Sequence, residues 1–182
     1  TDIVEHYLKY VAPLGQKAQV VAYNQRLVVA YAEAIRSELE RLGAVGEMAS
    51  RDGGPGRTRE VAVVMHVADS KSTPDALKKY LLTEEQEETL KRRFKKVDDP
   101  LSFVVVTAKW MTGFNAPIEG VLYLDKPLRA ANLFQTITRP NRPWKNPITG
   151  QRKAFGRVVD YIGLAKAIAE ALIGPRPKGG ED

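Results

Sequence analysis

The chain has 182 residues, of which 43% are hydrophobic and 27% charged, and it carries a net charge of +6. This length and composition are typical of one compact globular domain. The absence of cysteine excludes disulfides and thiolate metal sites, and the apolar runs are too short to cross a membrane. The positive charge favours an anionic partner, such as nucleic acid or a nucleotide. Because the sequence starts at Thr1 without an initiator methionine, we expect it to be a piece of a longer protein.

The first half of the sequence reads as helices and strands in alternation. Apolar residues at intervals of three and four predict helices, and short β-branched runs predict buried strands. Pro13 should stop the first helix, and the second should be capped by Asn24 and ended by Gly43. In chain order we predict a helix over 3–14, a strand over 18–23, a helix over 24–43, a flexible basic loop over 51–59 and a strand over 60–67.

The second half continues this alternation. In chain order we predict a short helix from Thr73 or Pro74, a helix over 83–97, strands over 101–108 and 119–125, a helix over 128–138, a strand over 156–162, a helix over 164–173 and a disordered tail over 175–182. Strands that are apolar along their length, alternating with helices, predict an α/β fold whose mostly parallel sheet is flanked by helices on both faces. The basic run "KRRFKK" at 91–96 fits a helix end that complements the helix dipole, with a nucleic-acid contact as the alternative.

Three stretches are candidates for a binding site, at 18–26, 107–117 and 133–144. Ligands of open α/β sheets bind beyond the carboxyl ends of the strands, and we expect all three stretches to lie there. Thr112 and Gly113 can bring the backbone close to a phosphate, and the Asn115-Ala116-Pro117 turn follows them. Taken alone, the same stretch is equally consistent with a surface loop.

The stretch "LFQTITRPNRPW" at 133–144 places two arginines around a proline. Pro140 should end the helix near Thr138 and leave Arg139 and Arg142 in a stiff, extended segment. A guanidinium is always charged and matches phosphate oxygens in pairs, although arginines at a domain rim also commonly bridge to acidic neighbours. The sequence has no Walker A loop and no acidic pair at a strand end. Such a domain would complete a nucleotide site that another domain supplies.

Together these stretches resemble a known family. The string "MTGFNAPIEGVLYLDKPLRAANLFQTITRPNRP" is similar to motif V, the linker strand and motif VI of the type I restriction endonuclease R subunit, a superfamily 2 helicase motor. "AQVVAYNQR" is similar to motif IV of that motor. The resemblance implies a RecA-like three-layer domain over residues 1–174, the second of two such domains. Two positions depart from the family pattern, which usually has aspartate at Asn115 and a residue other than proline at Pro140.

The resemblance also implies a role for individual residues. ATP and Mg²⁺ would bind between the two domains, held mainly by the first domain, and no metal ligand is expected in this chain. Arg142 would be the arginine finger and Arg139 its companion. The other implied roles are nucleotide contacts by Gln135, Gly113 and Asn115, and DNA contacts by Thr107, Lys109 and Thr112.

From this resemblance we expect half of an ATP-driven translocase on double-stranded DNA, within a type I site-specific deoxyribonuclease that hydrolyses ATP. Its partners would be the first RecA-like domain, the methyltransferase subunit and the specificity subunit, in the cytoplasm of a bacterium or archaeon. The isolated chain should be inactive. Two alternatives remain: the second domain of another superfamily 2 helicase or repair translocase, and a stand-alone nucleic-acid binding module that uses 51–59 and "KRRFKK". A P-loop in the upstream part of the gene would favour a motor over the module.

Overall fold

Five strands form a single sheet in a computed structural model that describes residues 2–43, 58–68, 70, 73–111, 113–128 and 130–164. Every neighbouring pair is parallel, and the strand order is β2-β3-β1-β4-β5. The strands are β1 (Lys17–Ala22), β2 (Glu60–Val64), β3 (Leu101–Val106), β4 (Glu119–Asp125) and β5 (Arg157–Asp160). The predicted α/β fold is confirmed, with a sheet that is wholly parallel.

The described helices follow the predicted order. They are α1 (Asp2–Tyr10), α2 (Gln25–Arg41), α3 (Asp75–Lys78), α4 (Glu84–Lys95) and α5 (Ala130–Ile137). The Asn24 side chain caps α2 by accepting a hydrogen bond from the Leu27 amide, as the sequence predicts. Thr83 and Gln86 form a reciprocal capping box at the start of α4. All but Leu164 of the helix predicted over 164–173 lies outside the described residues, as does the tail over 175–182.

Some predicted elements are shorter than expected. The helix predicted over 3–14 ends at Tyr10, and Ala12–Leu14 form a separate 3-10 turn that contains Pro13. The ring of Pro13 is accepted there because the first turn of a helix needs no amide at that position. Strand β2 ends at Val64, three residues before the predicted end at Val67.

Helices cover both faces of the sheet, which gives three layers. Helices α1 and α2 pack on one face, where Val28, Ala32, Ile35 and Leu39 of α2 are buried at the expected intervals of three and four. On the other face, α4 and α5 pack together with the loop 107–118. Strands β1, β3 and β4 are central and buried along nearly their whole length. None of the described helices is both long and apolar enough to span a membrane.

Candidate functional site

The loop 107–118 connects the carboxyl end of β3 to the amino end of β4 and carries most of the candidate residues. Near its start, Lys109 and the indole of Trp110 both bind the carboxylate of Glu87 on α4, at 2.6 and 2.9 Å. Trp110 adopts a left-handed conformation, with φ 65°, and its ring packs against that of Phe114 with a tilt of 41° and 4.5 Å between the ring centroids. Gly113 has φ 75°, a conformation that favours glycine. The start of the loop is therefore tied to α4 by Lys109 and Trp110.

The arginine segment that follows α5 is folded into turns. Helix α5 ends at Ile137, so the prediction that Pro140 stops the helix near Thr138 is confirmed. The predicted extended conformation is wrong, because the Asn141 amide donates to the Thr138 carbonyl and the Arg142 amide to the Arg139 carbonyl, at 3.2 and 3.3 Å. These successive turns draw the two arginines together on one side of the domain.

Glycine is required where this turn meets the amino end of β5. A Cβ atom at Gly156 would lie 2.1 Å from the carbonyl carbon and oxygen of Pro140. The Gly156 amide also donates to the Asn141 side chain at 3.2 Å. The absence of a side chain at Gly156 thus lets the turn lie directly on the backbone in front of β5.

The loop and the turn enclose a cavity of about 380 Å³. Five of the predicted site residues line it, namely Gly113, Asn115, Gln135, Arg139 and Arg142. Met111, Phe114 and Thr138 complete the wall. The predicted nucleotide-binding and catalytic residues are therefore neighbours in space, although their roles stay predictions. We refer to this space as the arginine cavity.

The two arginines occupy different positions in the arginine cavity. Arg139 is only 5% exposed, donates from Nη1 to the Met111 carbonyl at 3.0 Å and lies 5.9 Å from the centre of the Phe114 ring. Its Nε and Nη2 atoms are buried without a hydrogen-bond partner in the described part of the chain. Arg142 is exposed at the rim and donates from Nη1 to Oδ1 of Asn115 at 2.5 Å. Gln135 is also exposed at the rim.

A buried carboxylate that the sequence reasoning missed lies behind Arg139. Glu119, the first residue of β4, is 1% exposed, and its Oε2 lies 3.6 Å from Nη2 of Arg139, an ion pair too long for a hydrogen bond. Burial raises the pKa of Glu119 to about 7, while the charges of Arg139, Lys153 and Arg142 oppose the rise. In the orientation that turns its Nε2 toward the carboxylate, Gln19 donates to both oxygens of Glu119 at 3.2 and 3.3 Å.

Lys153 is a second missed residue in the same network. Its ammonium donates to the main-chain carbonyls of Pro117 and Glu119, at 2.5 and 3.0 Å. Burial lowers its pKa to about 8, and the charge of Glu119 acts in the opposite sense. The only local signal for this network is an acid directly before an apolar strand. Sequence reasoning would ordinarily assign such a residue to a solvated strand end.

The position of the arginine cavity differs from the one expected from the sequence. Arg139 contacts Glu119 at the amino end of β4, so the expectation that the arginines lie beyond the carboxyl ends of the strands is wrong. Helix α5 causes the difference, because its 8 residues span about 12 Å and carry the chain back from the carboxyl edge. The end of the stretch 18–26, residues 23–26, and Thr107 do lie beyond the carboxyl ends of β1 and β3, as predicted.

At that carboxyl edge, Thr107 lines a groove of about 740 Å³ with Tyr23, Asn24 and Arg26. Tyr23 is 56% exposed and Arg26 is exposed, so the groove is open to a large partner. Lys109 does not line this groove, because its ammonium is held by Glu87. Thr112 lies outside the described residues, and its predicted DNA contact stays a prediction.

The basic segments proposed for a stand-alone module show ordinary structural contacts where they are described. In the run 91–96, Phe94 is fully buried, Lys91 pairs with Glu88, and Arg93 pairs with Asp99 and Glu60. The exchange of such contacts for nucleic-acid phosphates would break several ion pairs. Residues 51–57 of the basic loop lie outside the described residues. Across the described residues, no group of three or more His, Cys, Asp or Glu side chains is placed to hold a metal ion.

Comparison with known proteins identifies relatives of nearly the whole chain. Residues 4–163 match the family model of type I restriction enzyme subunit R domain 3. The chain is 33% identical over 170 residues to the type I restriction enzyme HindI endonuclease subunit of Haemophilus influenzae, covering 93% of this chain and 15% of the relative. It is 29% identical over 171 residues to a Methanocaldococcus jannaschii protein named as the MjaIXP endonuclease subunit, covering 94% of this chain and 14% of that protein.

A solved structure has the same fold. It is a fragment assigned to the HsdR subunit of a type I restriction enzyme from Vibrio vulnificus YJ016. The TM-score is 0.57 at 15% sequence identity, and the match covers 92% of this chain and 28% of the solved one. The RecA-like architecture expected from the sequence is thus confirmed. The chain spans about one seventh of the length of the two curated relatives.

Proposed function

Since the chain belongs to the family of domain 3 of type I restriction enzyme R subunits, we propose that it is the second RecA-like half of a motor that moves along double-stranded DNA by hydrolysing ATP. One observation carries the proposal. Residues from a loop after β3 and a turn after α5 converge on a single cavity, with one buried and one exposed guanidinium. The exposed guanidinium of Arg142 beside the Gly113 backbone suits the oxygens of a phosphate chain, and the buried Arg139 supports the wall behind it.

Arg142 is the residue we propose as the arginine finger. Its guanidinium lies at the rim of the arginine cavity and donates to a neutral acceptor, the side-chain oxygen of Asn115. It would face the γ-phosphate of ATP bound to the first RecA-like domain. Such a finger stabilises the charge that develops during phosphoryl transfer and contributes roughly 10³–10⁵ in rate, about 4–7 kcal/mol. Without that first domain, the isolated chain should hydrolyse ATP negligibly.

The described lining of the arginine cavity suits the phosphates of ATP, but across the described residues no acidic cluster is placed to hold Mg²⁺, which favours a site shared between two domains. The described residues offer guanidiniums, the side-chain amides of Asn115 and Gln135, and the Gly113 backbone, all of which suit phosphate oxygens. We therefore place Mg²⁺ and most of the nucleotide on the first domain. When bound, Mg²⁺ would neutralise charge on the phosphates. This chain would contribute the guanidinium of Arg142 and the wall of the arginine cavity beside the phosphates.

The groove at the carboxyl edge is the proposed contact for the DNA backbone. The Thr107 hydroxyl and the exposed Arg26 both line it, and a hydroxyl with a guanidinium is a common pair of phosphate ligands. DNA and nucleotide would then bind at opposite ends of β3 and β4, joined by the loop 107–118. The isolated chain should bind DNA weakly and with strong salt dependence, because it presents only part of the track. Nanomolar binding at physiological salt would favour the stand-alone module.

We further propose that the chain acts within a type I complex in the cytoplasm of a bacterium or archaeon, with methyltransferase and specificity subunits. The family membership supports this assignment. Translocation would feed a nuclease elsewhere in the parent chain.

The test of the proposed function is ATP turnover in the full-length R subunit with double-stranded DNA present. Arg142→Ala should reduce turnover by at least about 10³-fold while DNA affinity stays within a few-fold. Arg41→Ala is the matched control, since Arg41 is an exposed arginine on α2 that forms an ion pair with Glu38 and does not line the arginine cavity. Turnover that survives in Arg142→Ala, or falls equally in Arg41→Ala, would contradict the finger assignment.

A further inference from the structure

The carboxylate of Glu119 is an unusual feature of the wall of the arginine cavity. Parallel strands of RecA-like sheets are apolar, and a carboxylate that is 1% exposed is costly unless cations and hydrogen bonds compensate it. Here the compensating groups come from three separate parts of the chain. They are the Arg139 guanidinium, the Gln19 amide from β1 and, near the main chain of Glu119, the Lys153 ammonium. The network joins the sheet to the turn and to the segment before β5.

Arg139 connects this network to the loop of the arginine cavity. One nitrogen, Nη1, donates to the Met111 carbonyl, and another, Nη2, lies 3.6 Å from Glu119. The guanidinium is thus fixed from two sides, by the loop 107–118 and by the first residue of β4. Because Arg139 is 5% exposed, it is poorly placed to reach a nucleotide on another domain in this conformation.

The position of Arg142 depends on that of Arg139. The Arg142 amide donates to the Arg139 carbonyl within the same turn, and the Arg142 side chain binds Asn115, four residues after Met111. The turn and the loop are consequently joined twice, by the buried contact of Arg139 with Met111 and by the exposed contact of Arg142 with Asn115. The exposed contact alone is a weak constraint, because solvent competes for both groups.

We propose that Glu119 is a positioning residue for Arg142: its carboxylate fixes Arg139, and Arg139 fixes the turn and loop that aim the Arg142 guanidinium at the nucleotide. This inference rests on the proposed function of Arg142. It differs from a general contribution to folding because the effect of Glu119 should pass through Arg139. Removal of Glu119 should therefore matter only while Arg139 is present.

A double-mutant cycle in the full-length protein tests this dependence. Glu119→Gln, Arg139→Gln and the double variant are compared with the parent protein for DNA-stimulated ATP turnover at pH 8, where the Glu119 carboxylate is mostly ionised. Glu119→Gln should lower kcat by about 10- to 100-fold, the effect of a small misplacement, with less than about a threefold change in KM for ATP. Adding Glu119→Gln to Arg139→Gln should change kcat by less than about threefold.

Asp99→Asn is the matched control. Asp99 is also a shielded carboxylate paired with an arginine, Arg93, at 3.0 Å, but it lies before β3 and outside the arginine cavity. This substitution should leave kcat unchanged. Multiplicative losses in the double variant, a kcat of Glu119→Gln within threefold of the parent, or an equal loss in Asp99→Asn would each overturn the inference.

Hydrogen–deuterium exchange supplies a readout that does not depend on activity. Glu119→Gln and Arg139→Gln should each accelerate exchange in peptides that cover 138–143, and the double variant should add nothing further. Glu119→Gln alone leaves one buried charge and could fail to fold. In that case the double variant, which removes both buried charges, is compared with Arg139→Gln, and the inference requires the same ATP turnover and the same exchange rate in the two. Slow exchange at 138–143 in all variants would overturn the inference. Loss of ATP turnover in Arg142→Ala with intact turnover in Glu119→Gln would leave the proposed function standing and refute this inference alone.

Discussion

Arg139 and Arg142 are three residues apart in one turn, yet their surroundings differ in nearly every respect. Arg139 is buried against Glu119 and Met111, whereas the Arg142 guanidinium is exposed and, among the described residues, bonds to the Asn115 side chain alone. A buried guanidinium with a carboxylate partner is committed to its own domain, because removal of either partner leaves a charge without compensation. An exposed guanidinium can exchange a neutral acceptor for a phosphate at little cost. The comparison shows that two arginines three residues apart in one turn differ in burial and in bonding, and this difference is the basis for proposing different roles for them.

Truncation of the buried arginine should produce the largest change in stability. Arg139→Ala leaves Glu119 buried without its closest cation, which costs about 3–5 kcal/mol in the free energy of unfolding. Arg142→Ala, at an exposed position, should change it by less than about 0.5 kcal/mol. Urea denaturation of the two variants measures both values. Equal losses would show that the two arginines do not differ in the way described.

The second-largest effect should be a pH dependence of the free energy of unfolding, caused by the buried carboxylate of Glu119. The pKa of Glu119 is about 7 in the folded chain against an ordinary 4.5, so the folded state binds more protons between these values. The free energy of unfolding should therefore fall by about 3 kcal/mol as the pH rises from 4.5 to 7. Lys153, with a pKa of about 8 against 10.5, should make it rise again between pH 8 and 10.5.

Urea denaturation of the parent chain and of Glu119→Gln across this pH range isolates the contribution of the carboxylate. The difference between the two curves should change between pH 4.5 and about 8, where the folded carboxylate finishes its titration, and level off above pH 8. A constant difference from pH 4.5 to 8 would mean that Glu119 does not titrate as its burial requires. The same comparison with Lys153→Met isolates the contribution of the lysine, and the rise in the free energy of unfolding between pH 8 and 10.5 should be absent from that variant.

A change in the packing of Gly156 against the turn 138–142 should have a smaller effect on stability and should displace both arginines. Gly156→Ala places a Cβ against the Pro140 carbonyl, and the backbone of the turn must shift to accept it. We expect a loss of about 1–3 kcal/mol in the free energy of unfolding. Gly150→Ala is a useful comparison, since its added Cβ would meet only a flexible lysine chain and its φ of 74° supplies the strain instead. Thermal melting of the two variants would show whether crowding or backbone conformation dominates.

The smallest effect on stability should come from the exposed contact between Arg142 and Asn115. Asn115→Asp, the residue usual in the family, would turn the Arg142 contact into an ion pair and add at most about 1 kcal/mol to stability. The gain should shrink in 1 M salt and disappear in an Arg142→Ala background. A gain that is independent of salt and of Arg142 would place its origin elsewhere in the loop.

Sequence patterns predicted the elements well and the site in part. Apolar runs predicted β3 and β4, Asn24 predicted the start of α2, and Pro140 predicted the end of α5. These predictions succeed because each signal acts on neighbouring residues of the chain. Gly113 and Arg142 were recognised through their motifs, and the cavity that they share follows from the fold.

The rest depended on contacts between distant parts of the chain. Glu119 is buried because β1, the turn and Lys153 close around it, and a lone acid before a strand does not reveal that. The arginine cavity lies at the amino end of β4 because of the direction of α5. The turns at 138–142 depend on the space that Gly156 leaves beside Pro140. Each of these is a tertiary effect that overrides local preference.

The most direct measurement of the central claim is the single-turnover rate of ATP cleavage in the full-length R subunit, with ATP prebound and double-stranded DNA present. This rate isolates phosphoryl transfer from binding and product release. For Arg142→Ala we predict a rate at least about 10³-fold below that of the parent protein, with ATP affinity and melting temperature nearly unchanged. A cleavage rate within threefold of the parent would contradict the assignment of Arg142 to the nucleotide.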